Sequence, residues 1–134
     1  RWLSNFWPAD VMLDGVVYPT VEHAYQAAKF LSRQIRQDIA ACARPGLAKR
    51  KAKGLEVRPS WHGMKEGIML DLLRQKFAIP ELRAKLLETE DQELVEGNMW
   101  HDVFWGVCRC PSHRGEGQNR LGCLLMQVRE EVKS

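Results

Sequence analysis

The amino-acid sequence predicts a helix-rich α+β fold, formed as a single domain of 134 residues with a small β-hairpin. Two observations predict it: a short apolar stretch with Asp-Gly at its centre, and several longer segments with apolar residues at helical spacing. Apolar residues make up 45% of the chain, enough to bury a core without disulfides or metal. We therefore expect residues 1–134 to form one globular unit.

The hairpin is predicted over residues 11–18, where Asp14 and Gly15 suit the two positive-φ positions of a type I′ turn. Thr20 follows as an N-cap residue because its hydroxyl can accept a hydrogen bond from the first turn of a helix. The first helix is therefore expected to run from 21 to 32.

The remaining elements follow from apolar periodicity and from proline and glycine positions. Helices are predicted at 36–43, briefly in the basic stretch after Pro45, from a capping Ser60 to Pro80, at 80–87, and after a capping Asn119. Residues 93–95 are predicted as a strand and residues 107–118 as a loop. In the last helix, Arg129 is expected to face water beside a buried stripe of Leu121, Leu124, Leu125, Val128 and Val132.

Composition excludes several classes of protein. No run of 18 apolar residues and no signal peptide is present, and four cysteines in a chain that needs no disulfides favour a cytoplasmic location with reduced thiols. The sequence has no phosphate-binding glycine loop, no His-Glu-x-x-His pair and no nucleophile elbow, which argues against kinase, dehydrogenase, zinc-protease and α/β-hydrolase functions.

The net charge of +3 is too small to make nucleic acid the default partner. Cations nevertheless concentrate between Arg44 and Arg58, where Glu56 is the single acid. This basic stretch is either a positive surface for phosphate or a solvated helix face, and the sequence leaves both open.

Polar side chains on the first predicted helix form the first candidate site. Glu22, Gln26, Lys29 and Arg33 follow one another at spacings of four, three and four, so they share one helix face. Such a stripe is usually solvent-exposed. Glu22 and Lys29 are too far apart for the standard helix ion pair, so both could instead converge on a bound molecule.

A second candidate site is Asp102 with Trp105 and Gly106, at the start of the predicted loop. Asp102 is either a turn former or a carboxylate that holds the polar edge of a heterocycle against the aromatic ring. Two carboxylates are commonly used to hydrolyse a glycosidic bond. The two interpretations stay open.

A metal site is a third candidate, with Cys108, Cys110, His113 and Cys123 as its ligands. Structural zinc sites usually begin with two cysteines separated by two to four residues, and here only one residue separates them. Cys123 also falls in the apolar pattern of the last helix. We therefore expect no metal and no cofactor.

These residues belong to motifs that resemble the YbiA-like (NADAR) family along nearly the entire chain. The motifs are Leu3-Ser4-Asn5-Phe6, Asp14-Gly15, Tyr18 to Phe30 with its Thr20-Val21-Glu22-His23 and Gln26-Ala27-Ala28-Lys29-Phe30 blocks, Arg58-Pro59-Ser60-Trp61 with Lys65, Lys76-Phe77, Leu94-Val95-Glu96, Asp102 with Trp105-Gly106, and Gly117 to Gly122 with Leu125-Met126. The family has a further strand and aromatic segment before Leu-Ser-Asn-Phe, so either the domain is trimmed at its N-terminus or the pocket lacks one wall.

The resemblance implies an N-glycosidase that cuts a C1–N bond between ribose and a base, with Glu22, Lys29 and Asp102 at the reaction centre. It implies that substrate is contacted by Asn5, Phe6, His23, Gln26, Arg58, Trp61, Lys65, Trp105, Gly106 and Asn119. One carboxylate, preferably Glu22, is expected to stabilise the ribosyl cation or direct water. Asp102 or Lys29 is expected to handle the proton or to hold the ring-opened sugar, and the alternative for Lys29 is an imine with the opened sugar.

The family acts on two substrate types, ADP-ribosylated guanine, including in DNA, and ribosylamino-pyrimidine phosphates of riboflavin biosynthesis. The basic stretch and the loop from Arg109 to Arg114 favour the ADP-ribosyl substrate, with DNA as a partner and no membrane. The riboflavin intermediate is the alternative. A non-catalytic module that binds ADP-ribose or a nucleotide is a third.

Overall fold

Helices joined by turns and short strands form the framework of residues 1–133, which are the residues that the computed structural model describes. In chain order the elements are β1 (Val11–Leu13), β2 (Val16–Tyr18), α1 (Val21–Ala28), α2 (Arg33–Ala40), α3 (Pro45–Ala52), α4 (Trp61–Lys76), α5 (Pro80–Glu88), β3 (Gly97–Asn98), β4 (Val107–Cys108) and α6 (Arg120–Lys133). The strands form two two-stranded sheets, so the predicted helix-rich α+β class is confirmed.

The described chain forms two compact units, one of residues 1–82 and one that begins at Arg83. In the first unit, α1 is the central helix, and each of its eight residues is buried. It packs against α2, α3, α4 and the hairpin. Any side chain that α1 carries is therefore largely removed from water.

The predicted hairpin is confirmed. β1 and β2 pair antiparallel with Leu13 opposite Val16, and Asp14 and Gly15 between them have φ values of 50° and 82°. Both values are positive, as a type I′ turn requires. Asp14 Oδ2 also accepts a 2.6 Å hydrogen bond from Arg36 Nη1, which joins the turn to α2.

The first helix begins where predicted and ends earlier. Thr20 Oγ1 accepts a hydrogen bond from the backbone N–H of His23, so the predicted cap is confirmed. The helix stops at Ala28 rather than at residue 32, because Arg58 reaches its end: the Arg58 N–H donates to the Lys29 carbonyl and Nη1 donates to the Ala28 carbonyl. Arg58 is distant in sequence, so periodicity could not show this stop.

One further helix boundary and one predicted cap differ from the predictions. The second helix covers Arg33–Ala40 rather than 36–43, because Ser32 Oγ accepts from the Ile35 N–H and so starts it early. Ser60 precedes α4 as predicted, but its φ is 64° and its side chain makes no capping hydrogen bond.

The second unit is organised around α6. Residues 93–95 are not a strand as predicted; the short strand lies at Gly97–Asn98 and pairs parallel with Val107–Cys108. Arg129 does not face water: it is 4% exposed, and Nη1 donates to Thr89 Oγ1 and the Gln92 carbonyl. The Arg129 guanidinium therefore supplies hydrogen-bond donors to the turn at residues 89–92. Helix periodicity does not reveal this contact.

Among the described residues, no helix is both long enough and apolar enough to cross a bilayer. The expectation of one domain over residues 1–134 remains a prediction.

Candidate active site

Glu22 is a buried carboxylate at the centre of the first unit. Its side chain is 8% exposed, and Oε2 accepts a 2.6 Å hydrogen bond from Gln26 Nε2, one turn further along α1. The Glu22 N–H donates to the Asn5 carbonyl, which brings the Leu-Ser-Asn-Phe turn against the helix. The predicted polar stripe is therefore buried at Glu22 and Gln26, whereas Lys29 is half-buried and Arg33 is exposed.

Lys29 lies at the C-terminal end of α1, on the same face. Its Nζ lies 5.4 Å from the centroid of the Tyr25 ring, and that ring packs against Trp61 with centroids 5.4 Å apart. The aromatic pair gives the amine an electron-rich and poorly hydrated neighbour. Arg33 does not continue the stripe, because it begins α2.

The two ionisable groups have pKa values displaced in opposite directions. Burial raises the pKa of Glu22 above its ordinary value, while the hydrogen bond from Gln26 and the charges of Lys49 and Lys29 oppose the rise. Burial also lowers the pKa of Lys29, and Lys49 and Lys65 add to that effect while Glu22 opposes it. Both shifts favour the uncharged forms, as desolvation requires.

Two buried amide oxygens beside Glu22 have no hydrogen-bond partner among the residues that the structure describes. They are Oδ1 of Asn5, whose Nδ2 donates to Met69 Sδ, and Oε1 of Gln26. Buried acceptors of this kind are nearly always satisfied in folded proteins. A substrate that offers N–H or O–H groups would supply the missing donors.

His23 is held entirely by the protein. Nδ1 lies 2.7 Å from Thr20 Oγ1 and Nε2 lies 3.0 Å from the Cys42 carbonyl. A carbonyl only accepts, so Nε2 carries the proton and Nδ1 accepts from the hydroxyl. This geometry gives no support to the prediction that His23 contacts substrate; it joins α1 to the turn after α2.

The other predicted contacts in the first unit occupy different positions. Trp61 is 4% exposed, and its ring packs beneath the ring of Tyr25. Phe6, in contrast, is 44% exposed. Arg58 caps α1 through its two donors, as described above. Lys65 Nζ lies 3.5 Å from His62 Nδ1 on α4, and its charge acts on Lys29.

In the second unit, Asp102 makes turn contacts. Oδ1 accepts from the backbone N–H groups of Phe104 and Trp105, at 3.1 and 2.9 Å. The Trp105 ring packs edge-on against Phe104, with centroids 4.9 Å apart. The turn-forming interpretation of Asp102 is thus realised, and its catalytic role stays a prediction.

Gly106 and Asn119 have structural roles that the sequence did not reveal. A Cβ on Gly106 would lie 2.2 Å from the Glu96 carbonyl oxygen, so the position excludes any side chain. Asn119 Oδ1 accepts from the Glu96 N–H, and Nδ2 donates to the Leu94 carbonyl. Its amide ties the start of α6 to residues 94–96 instead of capping the helix.

Of the four metal ligands considered from the sequence, Cys123 does not lie with the other three, and His101 takes its place in the cluster. Cys123 lies within α6, whereas Cys108, Cys110 and His113 group with His101. His101 lies seven residues before Cys108, and no ligand-spacing motif marks it.

Lys49 and Lys76 were not predicted as individual site residues. The charge of Lys49, on α3, acts on both Glu22 and Lys29, and its membership of the basic stretch was the available signal. Lys76 is fully buried and donates through Nζ to the Ser4 carbonyl, which fixes the turn that carries Asn5. The Lys76-Phe77 motif of the family resemblance was the available signal, but it did not indicate this contact.

Comparisons with known proteins agree with this architecture. The NADAR domain model matches residues 1–133. "N-glycosidase YbiA" of Escherichia coli (strain K12) is 40% identical over 96% of this chain and 79% of its own length. "Riboflavin biosynthesis protein PYRR, chloroplastic" of Zea mays is 39% identical over 96% of this chain and 23% of its own length.

The NMR structure of the E. coli protein YbiA superposes with a TM-score of 0.82, at 38% identity, over 98% of this chain and 77% of that one. The residues matched by the family model include every motif discussed above. The chain belongs to the NADAR domain family, among its YbiA-like N-glycosidases.

Proposed function

We propose that this N-glycosidase hydrolyses the bond between ribose C1 and nitrogen in a ribosylamino-pyrimidine phosphate, with Glu22 and Lys29 as its reactive groups. The observation that carries the proposal is that the buried carboxylate of Glu22 shares one helix face with the amine of Lys29. Burial lowers the pKa of that amine. Water adds across the bond: C1 gains the oxygen and the departing nitrogen gains a proton.

Glu22 is suited to stabilise the positive charge that develops at C1. A carboxylate in a water-poor site interacts with a developing cation far more strongly than one in bulk water. The raised pKa of Glu22 is the energetic cost of keeping that charge buried before substrate arrives. Within residues 1–133 the Glu22 carboxylate accepts one hydrogen bond, from Gln26 Nε2, which leaves acceptor capacity for water or sugar.

Lys29 is suited to act as a neutral amine. Imine formation with an opened sugar aldehyde requires an unprotonated lysine, and burial together with the charges of Lys49 and Lys65 lowers its pKa in that direction. The face of Tyr25 supports the amine without offering it a counterion.

The phosphate of the substrate would meet the cations that surround this helix. Lys49 and Lys65 act electrostatically on Lys29 from two different helices, and a phosphate monoester needs one or two such charges. The maize relative is named for riboflavin biosynthesis. Together these points reverse the preference for ADP-ribosylated guanine that the basic stretch suggested.

Asp102 is retained as a second carboxylate of the reaction because of the family resemblance. Its Oδ1 already holds two backbone N–H groups, so substitution would also disturb the turn. Asp102→Asn keeps one acceptor oxygen for the turn and removes the charge, which makes it more informative than Asp102→Ala.

ADP-ribosylated guanine is the second candidate substrate, favoured by one specific feature. The cationic side chains of α3 and its C-cap, Lys49, Arg50, Lys51 and Lys53, are exposed, and α3 packs directly on α1. This places a positive surface next to the helix that carries Glu22. A diphosphate or a DNA strand could be bound there.

The test is a mass-resolved hydrolysis assay of the purified chain with both substrates, alongside Glu22→Gln and the exposed control Glu56→Gln. We expect release of the free pyrimidine and ribose phosphate, lost in Glu22→Gln and kept in Glu56→Gln. Release of ADP-ribose from modified DNA, with a rate that falls steeply as salt rises, would select the second candidate.

If neither substrate reacts but ADP-ribose binds, the chain is a binding module and the roles assigned to Glu22 and Lys29 are withdrawn.

A further inference from the structure

We propose that His101, Cys108, Cys110 and His113 bind one structural zinc ion in the second unit. The ligand atoms of these four side chains all lie within 4.8 Å of one another. This proposal is independent of the glycosidase chemistry, and it replaces the expectation from the sequence that the chain binds no metal.

Three of the six separations between the ligand atoms match the edges of a tetrahedron around zinc, and those that involve Cys108 Sγ are at most 4.8 Å. Zinc–nitrogen bonds of about 2.0–2.1 Å and zinc–sulfur bonds of about 2.3 Å imply nitrogen–nitrogen edges of about 3.3 Å and nitrogen–sulfur edges of about 3.6 Å. His101 Nδ1 and His113 Nδ1 are 3.4 Å apart, and they lie 3.4 and 3.1 Å from Cys110 Sγ.

The backbone explains why a single intervening residue is sufficient between the cysteines. Cys108 ends strand β4, and side chains two residues apart on extended backbone point to the same side. The chain then turns: the N–H groups of His113 and Arg114 both donate to the Cys110 carbonyl. This turn returns the His113 ring to the side of the cysteines.

His101 reaches the two cysteines from the segment that precedes β4. Asn98 organises that segment: its Oδ1 accepts from the N–H groups of Trp100 and Asp102, and its Nδ2 donates to the Asp102 and Val107 carbonyls. His101 lies between Trp100 and Asp102 and has a φ of 70°, a left-handed conformation that few non-glycine residues adopt. The loop thus holds His101 in an uncommon conformation that presents Nδ1 to the cluster.

The donor set selects the metal and its role. Two thiolates and two imidazoles at tetrahedral spacing favour zinc over magnesium, calcium or manganese, which prefer oxygen ligands. Four protein ligands leave no position open for water or substrate, which is the property of a structural site. The two thiolates also neutralise the charge of the ion.

Metal content and ligand geometry test the proposal directly. The full chain, purified without an affinity tag or chelator, should contain one zinc ion per molecule by mass spectrometry. Replacement by cobalt(II) should give the intense visible absorption of a tetrahedral thiolate complex. Cys110→Ser and His113→Ala should each lose both signals, whereas the matched controls Cys123→Ser and His62→Ala should keep them.

Thiol titration keeps the test decisive if a ligand variant fails to fold. In the native wild-type chain with zinc, Cys108 and Cys110 should resist alkylation until a chelator is added. A zinc-free wild-type chain in which both thiols react at once overturns the proposal. So does a chain in which the two cysteines form a disulfide, or controls that lose zinc as readily as the ligand variants.

Discussion

Replacement of Glu22 by glutamine should make the protein more stable while it abolishes catalysis. The glutamine keeps the shape of the side chain and an oxygen that can accept from Gln26 Nε2, 2.6 Å away in the native chain. It removes a charge from a side chain that is 8% exposed. Catalysis should fall by roughly 10²–10⁴-fold, the usual contribution of a positioned acid or base.

The stability gain follows from the balance around the carboxylate. Taking an ion out of water costs several kcal/mol in real proteins, and one charge-assisted hydrogen bond returns about 1.5–3 kcal/mol. The charges of Lys49 and Lys29 offset a further part, but burial remains the largest influence on the pKa of Glu22. We therefore expect Glu22→Gln to unfold with a free energy about 1–2 kcal/mol larger at neutral pH.

The stability that Glu22→Gln gains over the wild type should increase with pH. The pKa of Glu22 is higher in the folded chain than in the unfolded chain, so ionisation destabilises the folded state. Below the unfolded pKa both states carry a protonated Glu22 and the variant has no advantage. The advantage should grow as pH rises from the unfolded pKa to the folded pKa, and then stay constant.

Urea unfolding of both proteins across a pH series measures this difference, with the exposed Glu56→Gln as the matched control. A Glu22→Gln protein that is less stable at neutral pH, or whose difference from the wild type does not change with pH, would refute the burial argument. An active Glu22→Gln protein would refute its assigned role.

Three further predictions concern other residues. Lys29→Arg keeps a basic side chain but cannot form an imine, so it should be as inactive as Lys29→Met and neither should be trapped by borohydride with substrate; an active arginine variant would exclude the imine. Gly106→Ala places a Cβ 2.2 Å from the Glu96 carbonyl oxygen and should cost about 3 kcal/mol or more in thermal unfolding. Arg129→Met leaves the Thr89 and Gln92 oxygens without their donor and should cost about 2–4 kcal/mol, a figure that an unchanged Tm would contradict.

Features set by neighbouring residues were predictable from the sequence. The Asp14-Gly15 turn and the Thr20 cap each depend on the conformational preference or hydrogen bond of a residue close in sequence, and both have the expected geometry. The helical periodicity of α4 and α6 depends on local spacing in the same way. The candidate residues Glu22 and Lys29 were identified by motif and by their shared helix face.

Features that depend on distant segments were not predictable. The stop of α1 is made by Arg58, the burial of Arg129 by the turn at Thr89, and the exclusion of a side chain at Gly106 by the Glu96 carbonyl. None of these partners lies within one helical turn of the residue it controls, so no local pattern contains the information.

The same distinction between local and distant influences applies to the reactive groups. Which groups are present follows from the amino-acid sequence alone: a carboxylate and an amine on one helix, and cysteines and histidines around a loop. Tertiary structure decided their state, because enclosure by α2, α3, α4 and the hairpin raises the pKa of Glu22 and lowers that of Lys29. It also decided that His101, rather than Cys123, joins the cysteine cluster, since only the folded loop brings its ring there.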